Sequence, residues 1–231
     1  MNDKEIVAQA ALDYVKNNTI IGLGTGSTAN YFIAGLAKKI KKEKLDIKVV
    51  ASSTISQINS IEAGLTYISL DQIETIDLYV DGADEVAELD RGKPVLKGRG
   101  YDLIREKLLA YASKKCIIIG DHSKIVNKIG DNFPIPIEIS PIAWKITKKI
   151  IEGLNVLNCH LRKNTAGDGF AITSYGNLVL DCNFKYSDIY NLSQKLSEVP
   201  GVLEHGIFLE TYLVLISNKG KIKKYGPVIS D

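Results

Sequence analysis

The sequence predicts an α/β protein: a mainly parallel sheet with helices on both faces, plus a smaller inserted α+β domain. Three observations lead there. In the first half, short apolar runs alternate with amphipathic stretches, as strands joined by crossover helices do. A Gly-rich turn, "GLGTGSTA", stands between the first apolar run and a long helical pattern. After Asp121 the regular alternation stops and a Pro-rich stretch begins.

The elements follow in order. "MNDKEIVAQAALDYV" has an amphipathic helix pattern and lacks the features of a signal peptide. Thr19 to Leu23 is a short strand, and a helix runs from about Ser27 to Ile40. "DIKVVAS" reads as a buried strand, and "STISQINSIEAG" as a helix stopped by Gly64. "TYISL" and "IDLYVD" are further strands, "YDLIREKLLAYAS" a helix, and "KKCIIIGD" a continuous apolar strand. "DNFPIPIEISPIAW" holds three of the six prolines within eight residues, which argues against an interior strand or helix and for a crossing between domains. Beyond it come a helix from about Ala143 to Glu152 and strands near Asn158–Lys163, Phe170–Ser174 and Asn177–Asp181. A helix follows from Ser187 to Glu198, and the strand-like runs "GIFLE", "TYLVLIS" and "KIKKYG" come last. Some of these last strands are expected to rejoin the first sheet. The expected division is an α/β domain of residues 1–129 and 208–231 and a smaller α+β domain of residues 130–207.

Composition narrows the function classes. At 231 residues the chain is long enough to bury a sizeable core. It has 29 Lys and Arg against 27 Asp and Glu, a balance that gives no support to nucleic-acid binding. No apolar run reaches the ~20 residues that span a membrane. Cys116, Cys159 and Cys182 are odd in number and far apart, which predicts reduced thiols in a cytoplasmic protein. His122, His160 and His205 are scattered, so no metal cluster is expected.

In a parallel sheet, ligands bind where strands end. "GLGTGSTA" lets backbone approach a ligand closely and aims a helix N-terminus at it, which suits an anion. Gly24-Thr25-Gly26-Ser27-Thr28-Ala29 fits the dinucleotide fingerprint, but the second strand ends "VVASST" without the acid that binds a ribose. No Lys follows Gly26, as a P-loop requires. The hydroxyls of Thr25, Ser27 and Thr28 suit a phosphate monoester or a sugar; the alternative is a tight turn capped by Ser27. Ser52-Ser53-Thr54 is a second hydroxyl cluster, or else simple N-capping.

"YVDGADE" places Asp81, Asp84 and Glu85 around Gly82 and Ala83. Turn-forming and capping carboxylates, a magnesium site, and acid–base catalysis all remain open for it. Lys97, before Gly98-Arg99-Gly100, could neutralise an oxyanion. On a helical wheel Glu106 lies between Arg105 and Lys107, off the apolar face of Tyr101, Ile104, Leu108, Tyr111 and Ala112. Periodicity alone makes it a solvated Glu.

Together, "GLGTGSTA", "ASST", "YVDGADE", "LKGRG", "REK" and "GDHSK", in this order and spacing, resemble type A ribose-5-phosphate isomerase over essentially the whole chain. The resemblance implies a Rossmann-like sheet and a ferredoxin-like second domain. It implies interconversion of ribose 5-phosphate and ribulose 5-phosphate through an enediolate, in the non-oxidative pentose phosphate pathway, with neither cofactor nor metal. It makes Glu106 the base that moves the proton between C1 and C2, against the wheel. It puts Asp81 and Asp84 at the sugar oxygens, with Gly82 and Ala83 between them, and Lys97 on the enediolate beside Gly98, Arg99 and Gly100. Thr25, Gly26, Ser27, Thr28, Lys124 and Lys4 match the phosphate-binding elements. The implied assembly is a homodimer or a dimer of dimers in the cytoplasm.

The chain departs from the family pattern at Arg99, Tyr101 and Asp102, where glycine or small residues are common. Asp102 stands one helical turn before Glu106 and, if close, would raise its pKa. The same architecture also serves sugar-phosphate sensors and CoA transferases. A sensor is expected to carry a helix-turn-helix domain and has no need of Lys97 and Glu106 together. A transferase is expected to be longer.

Overall fold

The computed structural model describes residues 2–87, 94–209 and 212–226. In chain order these form α1 (Asp3–Ala11), β1 (Thr19–Leu23), α2 (Ser27–Glu43), β2 (Ile47–Ala51), α3 (Thr54–Glu62), β3 (Thr66–Tyr67), β4 (Leu78–Gly82), β5 (Glu85–Ala87), β6 (Val95–Leu96), α4 (Leu103–Ala112), β7 (Cys116–Asp121) and β8 (Ile125–Val126). They continue as β9 (Ile135–Ile139), α5 (Trp144–Glu152), β10 (Val156–Leu161), β11 (Leu178–Phe184), α6 (Ile189–Ser197), β12 (Val202–His205), β13 (Ile207–Phe208), β14 (Leu213–Asn218) and β15 (Lys221–Tyr225). No helix among the described residues is long and apolar enough to cross a membrane.

The chain divides into two compact units. The first comprises Met1–Ala83, Arg105–Lys124 and Thr211–Asp231; the second comprises Asp84–Ile104 and Ile125–Glu210. This differs from the expected division in giving the second unit residues 84–104, 125–129 and 208–210 as well. The reason is strand pairing: β5 lies beside β6 and β8, and β6 beside β13. Glu210 and Thr211, the last residue of the expected strand "GIFLE" and the first of "TYLVLIS", lie outside the described residues.

The first unit is built on a seven-stranded sheet in the order β15-β14-β7-β4-β1-β2-β3. All its pairings are parallel except β14 with β15. Successive strand residues face opposite sides. Ile21, Leu23, Val49, Val80, Ile117 and Ile119 share one core with Val7 and Ala11 of α1 and Phe32 and Leu36 of α2. Gly22 and Tyr79 face the other side, where a Cβ built on Gly22 would stand 3.3 Å from Leu109 of α4. The chain returns after the second unit to add β14 and β15 to this sheet, as the sequence suggested.

In the second unit β9-α5-β10-β11-α6-β12 has the element order of a ferredoxin-like fold, with strands arranged β10-β11-β9-β12. Ile137, Ile139, Leu180 and Cys182 pack with Ile151 of α5 and Leu192 and Leu196 of α6.

"IPIEI" is β9, an interior strand, not a crossing segment. Pro136 accepts a hydrogen bond from the Gly206 N–H (2.8 Å) and returns none, so the ladder lacks one bond and otherwise continues. The expected strand Phe170–Ser174 makes only isolated bridges, Lys163 with Phe170 and Ile172 with Leu178. Cys159 and Cys182 are not separate thiols. They are register partners on β10 and β11 with Cα atoms 4.1 Å apart, and are joined as a disulfide. Their separation of 23 residues is the length of one antiparallel excursion, which sequence spacing does not disclose. Cys116 forms no disulfide and is buried.

Candidate active site

Asp81 is the second-last residue of β4, on the same face as Tyr79, and is fully buried. A carboxylate cannot be left dry without donors. Here Oδ1 accepts from the Thr25 N–H (3.0 Å) and the Gly82 N–H (2.6 Å), and Oδ2 accepts from the Tyr79 hydroxyl. Gly24 makes this possible. A Cβ there would overlap the Asp81 carboxylate and stand 2.5 Å from its Cα.

The sequence motif gives Tyr79 no task of its own; its place two residues before Asp81, on one strand face, is the available signal. Burial and the nearby carboxylates of Asp81 and Glu106 hold its hydroxyl well above the usual tyrosine pKa. The proton therefore stays on in the folded state above pH ~10, where an unfolded tyrosine loses it. Stability from this residue is complete below pH ~10 and declines as pH rises above it. Urea unfolding of wild type and Tyr79→Phe should show this. The wild-type advantage is expected to shrink by about 1.4 kcal/mol per pH unit above pH ~10. A constant difference from pH 8 to 11 would contradict the assignment.

The Gly-rich loop expected to meet an anion sits between β1 and α2. Gly26 precedes the helix and its carbonyl accepts from the Asn30 N–H (2.9 Å). Ser27 is exposed and Thr28 buried. Ser27 does not cap α2 through its side chain; its hydroxyl accepts from Lys4 Nζ (2.9 Å). Lys4, Ser27, Tyr31, Asp121 and Ser123 line an open recess of about 540 Å³. Lys124, half-buried, follows Ser123 directly.

The second hydroxyl cluster supports the first. Ser53 caps α3, accepting from the Ser56 N–H (3.0 Å). Thr25 Oγ1 meets the hydroxyls of Ser52 (2.9 Å), Ser53 (2.7 Å) and Ser56 (3.0 Å), and Ser56 donates to the Gly24 carbonyl (2.6 Å). Ser53 thus caps α3 and braces the loop, and Ser52 braces it alone.

Glu106 is only 4% exposed, so the helical wheel was misleading. The buried side of α4 is Leu103, Glu106, Leu109 and Ala110, while Leu108 (59%) and Tyr111 (69%) are exposed. The apolar residues chosen for the wheel included the solvent side of the helix.

The second unit holds Asp84, Lys97, Gly98, Arg99 and Gly100. Asp84 Oδ2 accepts from the Arg99 N–H (3.2 Å), and the Asp84 N–H donates to the Leu96 carbonyl (2.8 Å). Lys97 is 3% exposed, with Nζ 5.7 Å from the Phe208 ring centroid. The Arg99 guanidinium lies 4.2 Å from the Phe133 ring centroid, so its side chain is engaged on that ring. Asp102 accepts from the Ser174 hydroxyl (2.7 Å). Glu85, third carboxylate of the motif, is structural. It is fully buried and accepts from the N–H groups of Gly130 (2.6 Å), Asn132 (2.6 Å) and Phe133 (2.8 Å). Burial pushes its carboxyl up more than these donors pull it down. Among the described residues no group of three or more His, Cys, Asp or Glu side chains is arranged to hold a metal ion.

The parallel sheet, the Gly-rich loop at a strand end and the buried Asp81 carboxylate beside it define an α/β protein with the kind of strand-end site where such sheets take their ligands. The comparisons with known proteins narrow this class. The family model of ribose 5-phosphate isomerase A (phosphoriboisomerase A) matches residues 48–221. Ribose-5-phosphate isomerase A of Prochlorococcus marinus (strain MIT 9312) is 40% identical, over 97% of this chain and 94% of its own. That of Pyrococcus furiosus is 38% identical, over 96% of each chain. Ribose 5-phosphate isomerase A from Methanocaldococcus jannaschii superposes with a TM-score of 0.91 at 31% identity, covering 97% of this chain and 98% of that one. A D-ribose-5-phosphate isomerase in complex with phospho-erythronic acid superposes with a TM-score of 0.90 at 35% identity, covering 98% and 100%. The chain belongs to the ribose 5-phosphate isomerase A family.

Proposed function

We propose that this chain interconverts ribose 5-phosphate and ribulose 5-phosphate through an enediolate, as a step of the non-oxidative pentose phosphate pathway. Near-full-length family membership supports the reaction. The observation that carries the mechanism is the burial of Glu106 on a helix whose neighbouring residues are Arg105 and Lys107. A surface role would leave that carboxylate wet.

In this reading Glu106 takes the proton from C2 of the open-chain aldose and returns it to C1 of the enediolate. The O2 proton moves to O1, assisted by Asp81, which also promotes ring opening; Asp84 binds the sugar hydroxyls. Lys97 offsets the negative charge on the enediolate oxygen. Gly82, Ala83, Gly98, Arg99 and Gly100 bring main chain to the sugar. Thr25, Gly26, Ser27, Thr28, Lys4 and Lys124 hold the phosphate, and that anchoring supplies positioning that acid–base chemistry alone does not. Phospho-erythronic acid is expected to bind this chain as well, its carboxylate standing in for the enediolate oxygens.

The test is conversion of ribose 5-phosphate by purified protein in excess EDTA, followed as ribulose 5-phosphate. Undiminished turnover is expected. Turnover that returns only with added magnesium would reassign the Asp81–Asp84 turn to a metal. The same reading places a homodimer or dimer of dimers in the cytoplasm. Light scattering is expected to give two or four chain masses, and a monomer at working concentration would count against it.

A further inference from the structure

The loop from Lys97 to Asp102 carries four of the residues proposed above to meet the sugar, and it is tied down within the second unit through two main-chain N–H groups and one side chain. The Lys97 N–H donates to the Gly206 carbonyl (2.9 Å), the Arg99 N–H to Asp84 (3.2 Å), and Ser174 holds the Asp102 carboxylate (2.7 Å). Gly98 has φ +104°, and a Cβ on it would run into Leu103 and stand 2.9 Å from Pro136 Cγ. The Gly98 carbonyl receives Arg162 Nη1 at 2.9 Å.

Arg162 has no part in the chemistry proposed above. It follows β10 and forks onto Asp181 of β11, Nε to Oδ2 (2.8 Å) and Nη2 to Oδ1 (2.6 Å). Both side chains are 12% exposed. Its guanidinium also lies 5.4 Å from the Tyr101 ring centroid. One rigid planar group therefore grips a carboxylate, a carbonyl and a ring. A Lys ammonium cannot reproduce that geometry, being a point charge on a flexible stem. A largely buried ion pair is by itself a weak source of stability, since well-packed apolar residues often do as well. What apolar residues cannot supply is the third donor, the one on Gly98.

We propose that Arg162, oriented by Asp181, is a positioning residue for the isomerisation: it fixes the Gly98 carbonyl and thereby the placement of the Lys97 ammonium. This rests on the isomerase reading and on Lys97 as the group that meets the developing oxyanion. A displacement of ~1 Å in such a group can cost on the order of 100-fold in rate. Binding of the ground-state sugar, held through its phosphate, should change far less.

The experiment compares wild type with Arg162→Gln, Arg162→Lys and Asp181→Asn. It measures kcat and KM for ribose 5-phosphate, the inhibition constant of phospho-erythronic acid, and the thermal midpoint. Arg162→Gln is expected to lower kcat about 10- to 100-fold with KM within about threefold. Its inhibition constant should rise about in step with the loss in kcat, because the inhibitor carries charge where the enediolate does. Arg162→Lys should recover only part, and Asp181→Asn should fall between it and wild type. If Arg162→Gln does not fold, Arg162→Lys is judged by the same two ratios. The role is overturned if kcat stays within twofold of wild type. It is overturned equally if the loss merely follows the folded fraction, with the inhibition constant per folded site unchanged. Wild-type turnover with an unaffected variant sinks the Arg162 role alone; absence of wild-type turnover sinks the isomerase reading and this role with it.

Discussion

Glu106→Gln is expected to bind ribose 5-phosphate with near wild-type affinity and to turn it over about 10²–10⁴-fold more slowly. The substitution is close to isosteric and both residues suit a helix interior, so α4 should be undisturbed. What disappears is the capacity to accept a proton from carbon. The change removes a carboxylate that burial alone disfavours, so the thermal midpoint should hold or rise. Turnover and calorimetric binding on the same preparation check this. A variant within tenfold of wild type would remove Glu106 as the base, whatever the family suggests. Binding without turnover would also separate this chain from a sugar-phosphate sensor, for which the same substitution should leave the whole function in place.

Glu106 also shows where the sequence stops being legible. The sheet and its crossover helices could be read from periodicity, because Ile21, Val49, Val80 and Ile117 sit on strands whose apolar runs are continuous. The anion loop was visible because glycine and hydroxyl residues follow a strand directly. Side-chain destinations were less visible. α4 buries Leu103, Glu106 and Leu109 and exposes Leu108 and Tyr111, and no hydrophobicity rule chooses that face. Only a resemblance to a family pointed to Glu106. Likewise, Asp81 and Glu85 read as one acidic cluster, yet Asp81 is held by Thr25, Gly82 and Tyr79, while Glu85 collects three N–H groups from residues 130–133. Donors that arrive from about 45 residues along the chain leave no local trace. Pro136 misled for the opposite reason. A local rule against proline in interior strands is statistical, and a single missing N–H at one ladder position is tolerable when the strand is buried among Ile135, Ile137 and Ile139. Arg162 and Asp181 carried no sequence signal, because their pairing is a product of the β10–β11 register.

Gly24→Ala is expected to be the most damaging single-methyl change in the anion loop. Gly24 leaves β1 with its N–H on the Val80 carbonyl (2.8 Å) and its carbonyl accepting from Ser56 (2.6 Å), so it cannot drift outward without breaking both bonds. The added Cβ would meet Asp81 at its carboxylate and at Cα, the latter 2.5 Å away. A flexible side-chain end could swing aside, but a backbone atom within a buried parallel sheet cannot. Either β1 and β4 part beyond the Leu23–Val80 pairing, or the Asp81 carboxylate leaves the N–H groups of Thr25 and Gly82. The first route costs about 1–3 kcal/mol of stability as overpacking. The second misplaces the proposed proton-shuttling group and should cost on the order of 100-fold in kcat. Gly64→Ala is the control. Gly64 has φ +78° and open space around its Cβ direction, so it carries backbone strain of about 1–2 kcal/mol with no neighbour to push. Urea midpoints and kcat measured on both variants separate the two causes. Gly64→Ala should lose stability alone, whereas Gly24→Ala should lose stability and turnover together. Full activity in Gly24→Ala would mean that Asp81 tolerates displacement, and with it that the β4 carboxylate held by this loop is not the one that moves protons between O1 and O2.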